Sequence, residues 1–337
     1  MKAIAYRQSH PIDHPDALID LTLPEPIAIG HDLLVDVHAI SVNPVDTKIR
    51  RFVAPAQGED KVLGWDAAGI VRAVGEKVTL FKPGDRVIYA GTLLRPGTNS
   101  ERHLVDERIV GRAPSSIDFA AAAALPLTTI TAWEILFDRL QISQDKAAKS
   151  GTLLVIGAAG GVGSILVQLA RQLTNWTIIG TASRPATRQW VSDLGAHHVI
   201  DHTQPLSKEL QRIGIAQVDY VASLTHTDLH LPEIVASLIP QGKLALIDDP
   251  DALEVKLLKR KSISLHWEFM YTRSMFETAD MIEQHHLLNR VAQLIDDGVI
   301  RSTVTEQFGA INATNLRRAH ALLESGTARG KIVLAGF

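Results

Sequence analysis

Apolar positions along this chain follow two different periods. From residue 1 to about 125 they come in short alternating runs. "LLVDVHAISV" (Leu33 to Val42) alternates well enough to predict a strand. "AAGIVRAVG" (Ala67 to Gly75) and "GDRVIYAG" (Gly84 to Gly91) read the same way, and turn signals such as "KPGD" (Lys82 to Asp85) punctuate them. This stretch predicts a β-rich unit with little helix.

The pattern then changes. "IDFAAAAALPLTTITAWEILFDRL" (Ile117 to Leu140) predicts helix on either side of Pro126. From Thr152 apolar strands alternate with helices: "TLLVIG", "WTIIGTAS" (Trp176 to Ser183), "HHVID" (His197 to Asp201), "VDYVASL" (Val218 to Leu224) and "GKLALIDD" (Gly242 to Asp249). Continuous apolar strands between helices imply a parallel sheet covered on both faces. "SISLHW" (Ser262 to Trp267) is the candidate for its last strand. Two helical stretches and a closing strand, "GKIVLAG" (Gly330 to Gly336), follow. The expected fold class is therefore α/β. A β-rich domain of residues 1–125 takes back residues 265–337, and a doubly wound, Rossmann-type domain fills residues 126–264.

Composition narrows the function. The chain has 337 residues, 46% of them hydrophobic and 21% charged, with a formal net charge of -3. That suits a globular protein of two domains. The charge balance offers nothing that would hold nucleic acid or an anionic membrane. No apolar run reaches the length of a membrane span, and the N-terminal residues lack the apolar stretch of a signal peptide. There is no cysteine, hence no disulfide framework and no thiolate metal site. The simplest home is cytoplasmic.

The glycine-rich stretch "GAAGGVG" (Gly157 to Gly163) sits where a strand meets a helix. In the helix Val162, Ile165, Leu166, Leu169 and Leu173 share one face. This is the context that a dinucleotide fingerprint requires. Ala158, Gly160 and Gly163 fill its three positions, with Ala159, Gly161 and Val162 between them. Gly157 supplies turn freedom, Gly160 lets the backbone approach a pyrophosphate, and Gly163 lets helix and strand pack closely. Amides at the helix start then face an anion.

In NAD-binding versions an acidic residue about twenty positions on bonds the adenosine ribose. Here the stretch is "TASRPATR", which offers Ser183, Arg184 and Arg188 and no carboxylate. Arginine pairs bidentately with a 2′-phosphate that an acid would repel. The expected cofactor is NADPH (NADP+). The competing reading has the arginines solvating a helix start, and Arg188 suits it better than Arg184.

The order of parts resembles the medium-chain dehydrogenase/reductase superfamily, in which a GroES-like catalytic domain is joined to a Rossmann domain. The motifs "SVNPVDTKIR" (Ser41 to Arg50), "LGWDAAGIVRAVG" (Leu63 to Gly75) and "GAAGGVG" resemble its quinone oxidoreductase and enone reductase branch. The superfamily's zinc-type alcohol dehydrogenases hold catalytic zinc with two cysteines and a histidine. Trp65 stands at the histidine position and neither cysteine is present. A catalytic zinc takes three protein ligands, so none is expected here. The 14 histidines, among them the clusters "HTDLH", "HHVIDH" and "QHHLL", read as surface or capping residues.

The resemblance therefore implies a zinc-independent oxidoreductase that moves hydride from NADPH to a small electrophile, an enone or a quinone. Two other readings stay open: a zinc-type alcohol dehydrogenase with atypical ligands, and an NADPH-binding protein without turnover. The resemblance also puts "NPVDTK" in the interdomain cleft. Asn43 would then donate to the substrate oxygen or the cofactor ribose. Lys48 would meet a developing oxyanion or the cofactor phosphate, or else solvate a loop. Quinone reductases of the branch often have tyrosine there, whereas enone reductases have lysine. Asp46 reads as a capping carboxylate. Trp65 and Trp267 read as substrate wall or as core. Further cofactor contacts implied are Thr129, Ser223, Leu224, Thr225, Ile247, Asp248 and Lys331. Family members commonly dimerise across the edge strand, so a homodimer is expected.

Overall fold

A computed structural model describes residues 1–337. The chain divides into two compact units, Met1–Ile130 with Tyr271–Phe337, and Thr131–Met270.

The first unit is built on a seven-stranded sheet. Its long strand, Asp32–Val42, pairs antiparallel with Ala67–Val74 on one side and with the closing strand Lys331–Ala335 on the other. Strand Arg102–Asp106 pairs with the same long strand. Val35, Ile40, Ala67, Ala68, Ile332 and Val333 are buried there. A three-stranded sheet of Lys2–Tyr6, Ile19–Thr22 and Lys61–Val62 completes the β structure. The return of the C-terminal segment is thus a matter of sheet pairing.

The second unit holds a six-stranded parallel sheet. Across the sheet the strands run His198–Ile200, Thr177–Thr181, Thr152–Ile156, Val218–Ser223, Leu238–Leu246 and Ser264–Trp267. Numbered in chain order this is 3-2-1-4-5-6, the doubly wound Rossmann arrangement. Leu154, Ile156, Ile179, Val221 and Leu244 meet Leu231 and Ile234 of helix Thr227–Ser237 in one buried cluster. Full burial of each such side chain is worth about 1.5–3 kcal/mol.

The unit boundaries differ from 125/126 and 264/265 for visible reasons. Strand Ser264–Trp267 pairs with residues 243–246, so residues 265–270 stay with the parallel sheet. At the other boundary the Leu127 amide donates to Asp66 at 2.8 Å, within the first unit. Helical structure covers Phe119–Ala123 and Pro126–Trp133, then widens into a π-helical segment, Glu134–Arg139. No helix is long and apolar enough to cross a membrane.

Candidate functional site

The glycine turn lies at the carboxyl end of the first parallel strand, beside the fourth, where the strand order reverses. Gly157 has φ +80°, a left-handed conformation that glycine adopts freely. A Cβ on Gly163 would sit 2.4 Å from the Gly157 carbonyl oxygen and 2.6 Å from Ala158 Cα, so only glycine permits this approach of helix and strand. A Cβ on Gly160 would meet nothing nearer than 3.4 Å, so the space over Gly160 is open. Helix Gly161–Leu173 carries no side-chain cap, and its first bond runs from Ser164 N–H to Gly160 C=O. The amides of Gly161, Val162 and Gly163 are therefore left for an outside acceptor. A pyrophosphate fits this cradle in shape and charge.

The second strand ends beside it. Ser183 is half-buried and Arg184 exposed at the N-cap of helix Pro185–Asp193. Arg188 is differently placed: its guanidinium donates to the carbonyls of Ala182 and Val199 at 3.1 and 3.0 Å. It ties the second strand's end to the third strand. Arg184 and Ser183 remain the groups presented at this end of the sheet.

The fourth and fifth strands supply the other predicted contacts. Thr225 Cγ2 would lie 3.1 Å from a Cβ on Gly157, so the glycine turn and the loop Ser223 to Thr225 share one wall. Leu224 donates its amide to Ile156. Ile247 is half-buried just beyond its strand. Two expected contacts are spent internally. Ser223 Oγ is buried and bonded to Thr227 Oγ1, and Asp248 accepts from both the amide and hydroxyl of Thr227. Their carboxylate and hydroxyl hold the start of helix Thr227–Ser237.

In the first unit, Asn43 and Lys331 meet in one buried cluster. The Asn43 side-chain amide donates to Ser41 O at 3.3 Å and to Asp66 Oδ2 at 2.8 Å, while its oxygen accepts from Lys331 Nζ. Lys331 Nζ also lies 2.9 Å from Asp66 Oδ2 and 3.4 Å from Val42 O. Both residues are buried. Asn43 and Lys331 thus hold Asp66 in a buried polar cluster. Burial pushes the Asp66 carboxyl up, against the pull of Lys331, Asn43 and the Leu127 amide. All of these neighbours are donors, so the carboxylate form is the one they satisfy.

Asp46 caps helix Pro44–Phe52, accepting from the Asn43 amide at 2.7 Å, as a capping carboxylate should. Its Oδ1 is buried with no partner. Burial pushes its pKa up to about 7, helped by Asp66 and opposed by the Asn43 amide and Lys331. A carboxyl whose folded pKa lies above its unfolded value stabilises fully below the unfolded value and loses that contribution as pH rises to the folded one. The window is about pH 4 to 7. Asp46→Asn keeps the acceptor and removes the titration. The variant is expected to gain roughly 2–4 kcal/mol on wild type between pH 4.5 and pH 8. Denaturant unfolding at the two pH values measures this, and a pH-independent difference would assign the shift elsewhere.

Lys48 is exposed on the same helix. Thr129 is buried, and its hydroxyl has no hydrogen-bond partner. Trp65 is core, with its indole N–H donating to Thr92 O at 3.1 Å, whereas Trp267 is 52% exposed.

Several groups escape sequence reasoning. Asp66 follows Trp65 in "GWD", and an acid within an apolar strand-like run was the available signal. Buried Glu268 has its pKa pushed up to about 9 by burial and by its hydrogen-bonded neighbour Glu134, with Arg139 opposing at 2.8 Å. Those two glutamates lie far apart in sequence, and no local pattern links them.

Comparison with known proteins adds to this geometry. Residues 30–115 match the alcohol dehydrogenase GroES-like domain, and residues 194–334 match the zinc-binding dehydrogenase family. A zinc-type alcohol dehydrogenase-like protein of Staphylococcus epidermidis is 36% identical, with 99% of each chain covered. A Rhizobium etli structure, provisionally described as a zinc-dependent alcohol dehydrogenase, superposes with TM-score 0.96 and 56% identity, covering 100% of this chain and 98% of that one. The Escherichia coli quinone oxidoreductase, solved with NADPH, superposes with TM-score 0.84 and 26% identity, covering 99% and 100%.

These names raise zinc as a test of the residues. No three or more His, Cys, Asp or Glu side chains are grouped so as to hold a metal ion. Trp65 offers a committed N–H donor and no lone pair. The donor set does not fit a catalytic zinc.

Proposed function

The chain belongs to the zinc-type alcohol dehydrogenase-like family of medium-chain dehydrogenases/reductases, and on that premise we propose that it reduces an enone or a quinone with NADPH, without zinc. The observation that carries this reading is the pairing of the uncapped glycine turn with a second strand that ends in Ser183 and Arg184. The turn suits a pyrophosphate. The arginine suits a 2′-phosphate, and no acid stands where a ribose-binding carboxylate would.

When bound, the nicotinamide supplies the hydride. The chain has to position the acceptor and to meet the negative charge that develops on its oxygen. The resemblance implies Lys48, exposed on helix Pro44–Phe52, for that task. Alcohol oxidation asks for more, because the hydroxyl proton must be lost first, and zinc enzymes use the metal for that step. An activated double bond or a quinone asks only for hydride, an oxyanion donor and a proton from water. The quinone oxidoreductase relative with NADPH supports this substrate class.

The test follows absorbance at 340 nm with NADPH or NADH against a small enone, 1,4-benzoquinone and a simple ketone, with and without chelator. NADPH oxidation by enone or quinone, indifferent to chelator, is the expected result. Turnover of the ketone alone, dependent on added zinc, would overturn the reading. Arg184→Glu is expected to weaken NADPH binding roughly 10–100-fold, since each charge-assisted bond is worth about 1.5–3 kcal/mol. NADH affinity should move less than threefold. Equal losses for both cofactors would remove Arg184 from the phosphate site.

A further inference from the structure

Three histidines from two separate stretches, His202 and the pair His226 and His230, converge at the carboxyl end of the parallel sheet. His202 follows the third strand, His226 follows the fourth, and His230 stands one turn into helix Thr227–Ser237. The rings of His202 and His230 meet edge to face, with centroids 6.3 Å apart and planes at 82°. His226 holds a left-handed backbone at φ +51°, and its Nδ1 shares a 2.7 Å hydrogen bond with Thr225 Oγ1. Thr225 belongs to the wall shared with the glycine turn.

The register of the sheet puts His202 beside Arg184. Thr181 pairs with Ile200, so the residues that follow each strand leave the sheet side by side. Arg184 and His202 are close enough for the guanidinium charge to bear on the imidazole. His202 Nδ1 is buried and has no partner.

His202 is held low by burial, with His226 and Arg184 adding and Asp201 opposing. His230 is held low by burial, with His202 and His226 adding and Asp228 and Asp248 opposing. Of these carboxylates, Asp201 is tied to the amide and hydroxyl of Thr203, and Asp248 to Thr227. Asp228 is exposed on the first turn of its helix. An arriving phosphate would bring this group of bases further negative charge that favours their protonated forms. The set does not make a metal site.

We infer that His202 and His226, together with Arg184, form a protonatable rim for the 2′-phosphate of NADPH, with His230 as the ring that positions His202. This rests on the NADPH reading above and deepens it. Arg184 supplies a permanent charge. The imidazoles add charge by taking up protons as the phosphate arrives. Selectivity for NADPH over NADH thereby becomes a function of pH. An imidazole titrates near neutrality and is the side chain suited to this use. The phosphate's own second ionisation, near pH 6, sets the lower end of the window.

The experiment is calorimetric titration of the whole protein with NADPH and with NADH at pH 7.5, in Tris, HEPES and PIPES. The dependence of observed heat on buffer ionisation gives the protons exchanged. NADPH is expected to bring uptake of roughly half to one proton, and NADH close to none. By linkage, one proton taken up steepens affinity tenfold per pH unit. The NADPH:NADH affinity ratio should therefore rise about 3–10-fold per unit from pH 8.5 to 6.5. His202→Gln with His226→Gln should remove most of the differential uptake. His226→Gln alone, at an exposed position, should remove part of it without a change in thermal unfolding. Tighter NADPH binding with equal proton counts for the two cofactors would overturn the histidine rim and leave the NADPH reading in place. Tighter NADH binding would overturn both.

Discussion

Gly163→Ala is expected to abolish measurable cofactor binding and to lower stability by about 1–3 kcal/mol, the usual cost of forcing extra volume into a closed contact. The added Cβ would fall 2.4 Å from the Gly157 carbonyl oxygen and 2.6 Å from Ala158 Cα. Both neighbours are backbone of the turn itself, so relief means opening the turn. An opened turn no longer presents the amides of Gly161 and Val162 to one anion. Gly160→Ala is the informative contrast. Its Cβ has room in the fold, with a nearest neighbour at 3.4 Å, but stands over the open cradle. It should keep the melting temperature and weaken NADPH roughly tenfold or more, the scale of one lost charge-assisted bond. Cofactor fluorescence titration and thermal melts on both variants separate packing from binding. Wild-type affinity in Gly163→Ala would end the fingerprint reading of this turn.

Lys331→Met is expected to destabilise the first unit by about 3–5 kcal/mol, because it leaves Asp66 buried with no counter-charge. The loss reflects a stranded carboxylate more than the worth of the pair. Lys331→Met with Asp66→Asn should therefore recover most of the stability, since the amide can still accept from the Leu127 N–H. Denaturant unfolding of the single and double variants measures the coupling. Simple addition of the two effects would mean that the buried cluster is not a unit. The cofactor turn lies in the contiguous unit and should keep its NADPH affinity in both variants.

The parts of this molecule that could be read from the sequence are those with local causes. Ile165, Leu166 and Leu169 are buried in a helix, as their spacing predicts, although burial there takes in every residue from 163 to 170 and not one face alone. The left-handed Gly157 and the crowded Gly163 follow from a strand turning into a helix within a few residues. Asp46 at the third position after Asn43 carries its capping role in the spacing alone. What escaped has distant causes. Asn43 reads as a reactive loop amide until Asp66 and Lys331 arrive from elsewhere in the chain to use every polar atom it has. Arg188 reads as a phosphate ligand until the third strand offers it the Val199 carbonyl. His202 looked remote from His226 and His230 because their meeting point is set by tertiary structure, parallel pairing bringing the carboxyl ends of the third and fourth strands to one end of the sheet.

Lys331 lies in the last strand of the chain, and its partner Asp66 lies in the first third. During synthesis the contiguous unit Thr131–Met270 has all its strands before the final segment exists, and domains of this kind fold as units as they emerge. The N-terminal unit is made first and finished last. Until the ribosome has passed residue 331, the edge of Asp32–Val42 that pairs with the closing strand is bare, and the Asp66 carboxylate waits without its cation. Arrival of the strand Lys331–Ala335 supplies the missing edge pairing and the missing charge together. A prematurely ended product carries an open strand edge, the kind of surface that quality-control proteases and aggregating chains both recognise.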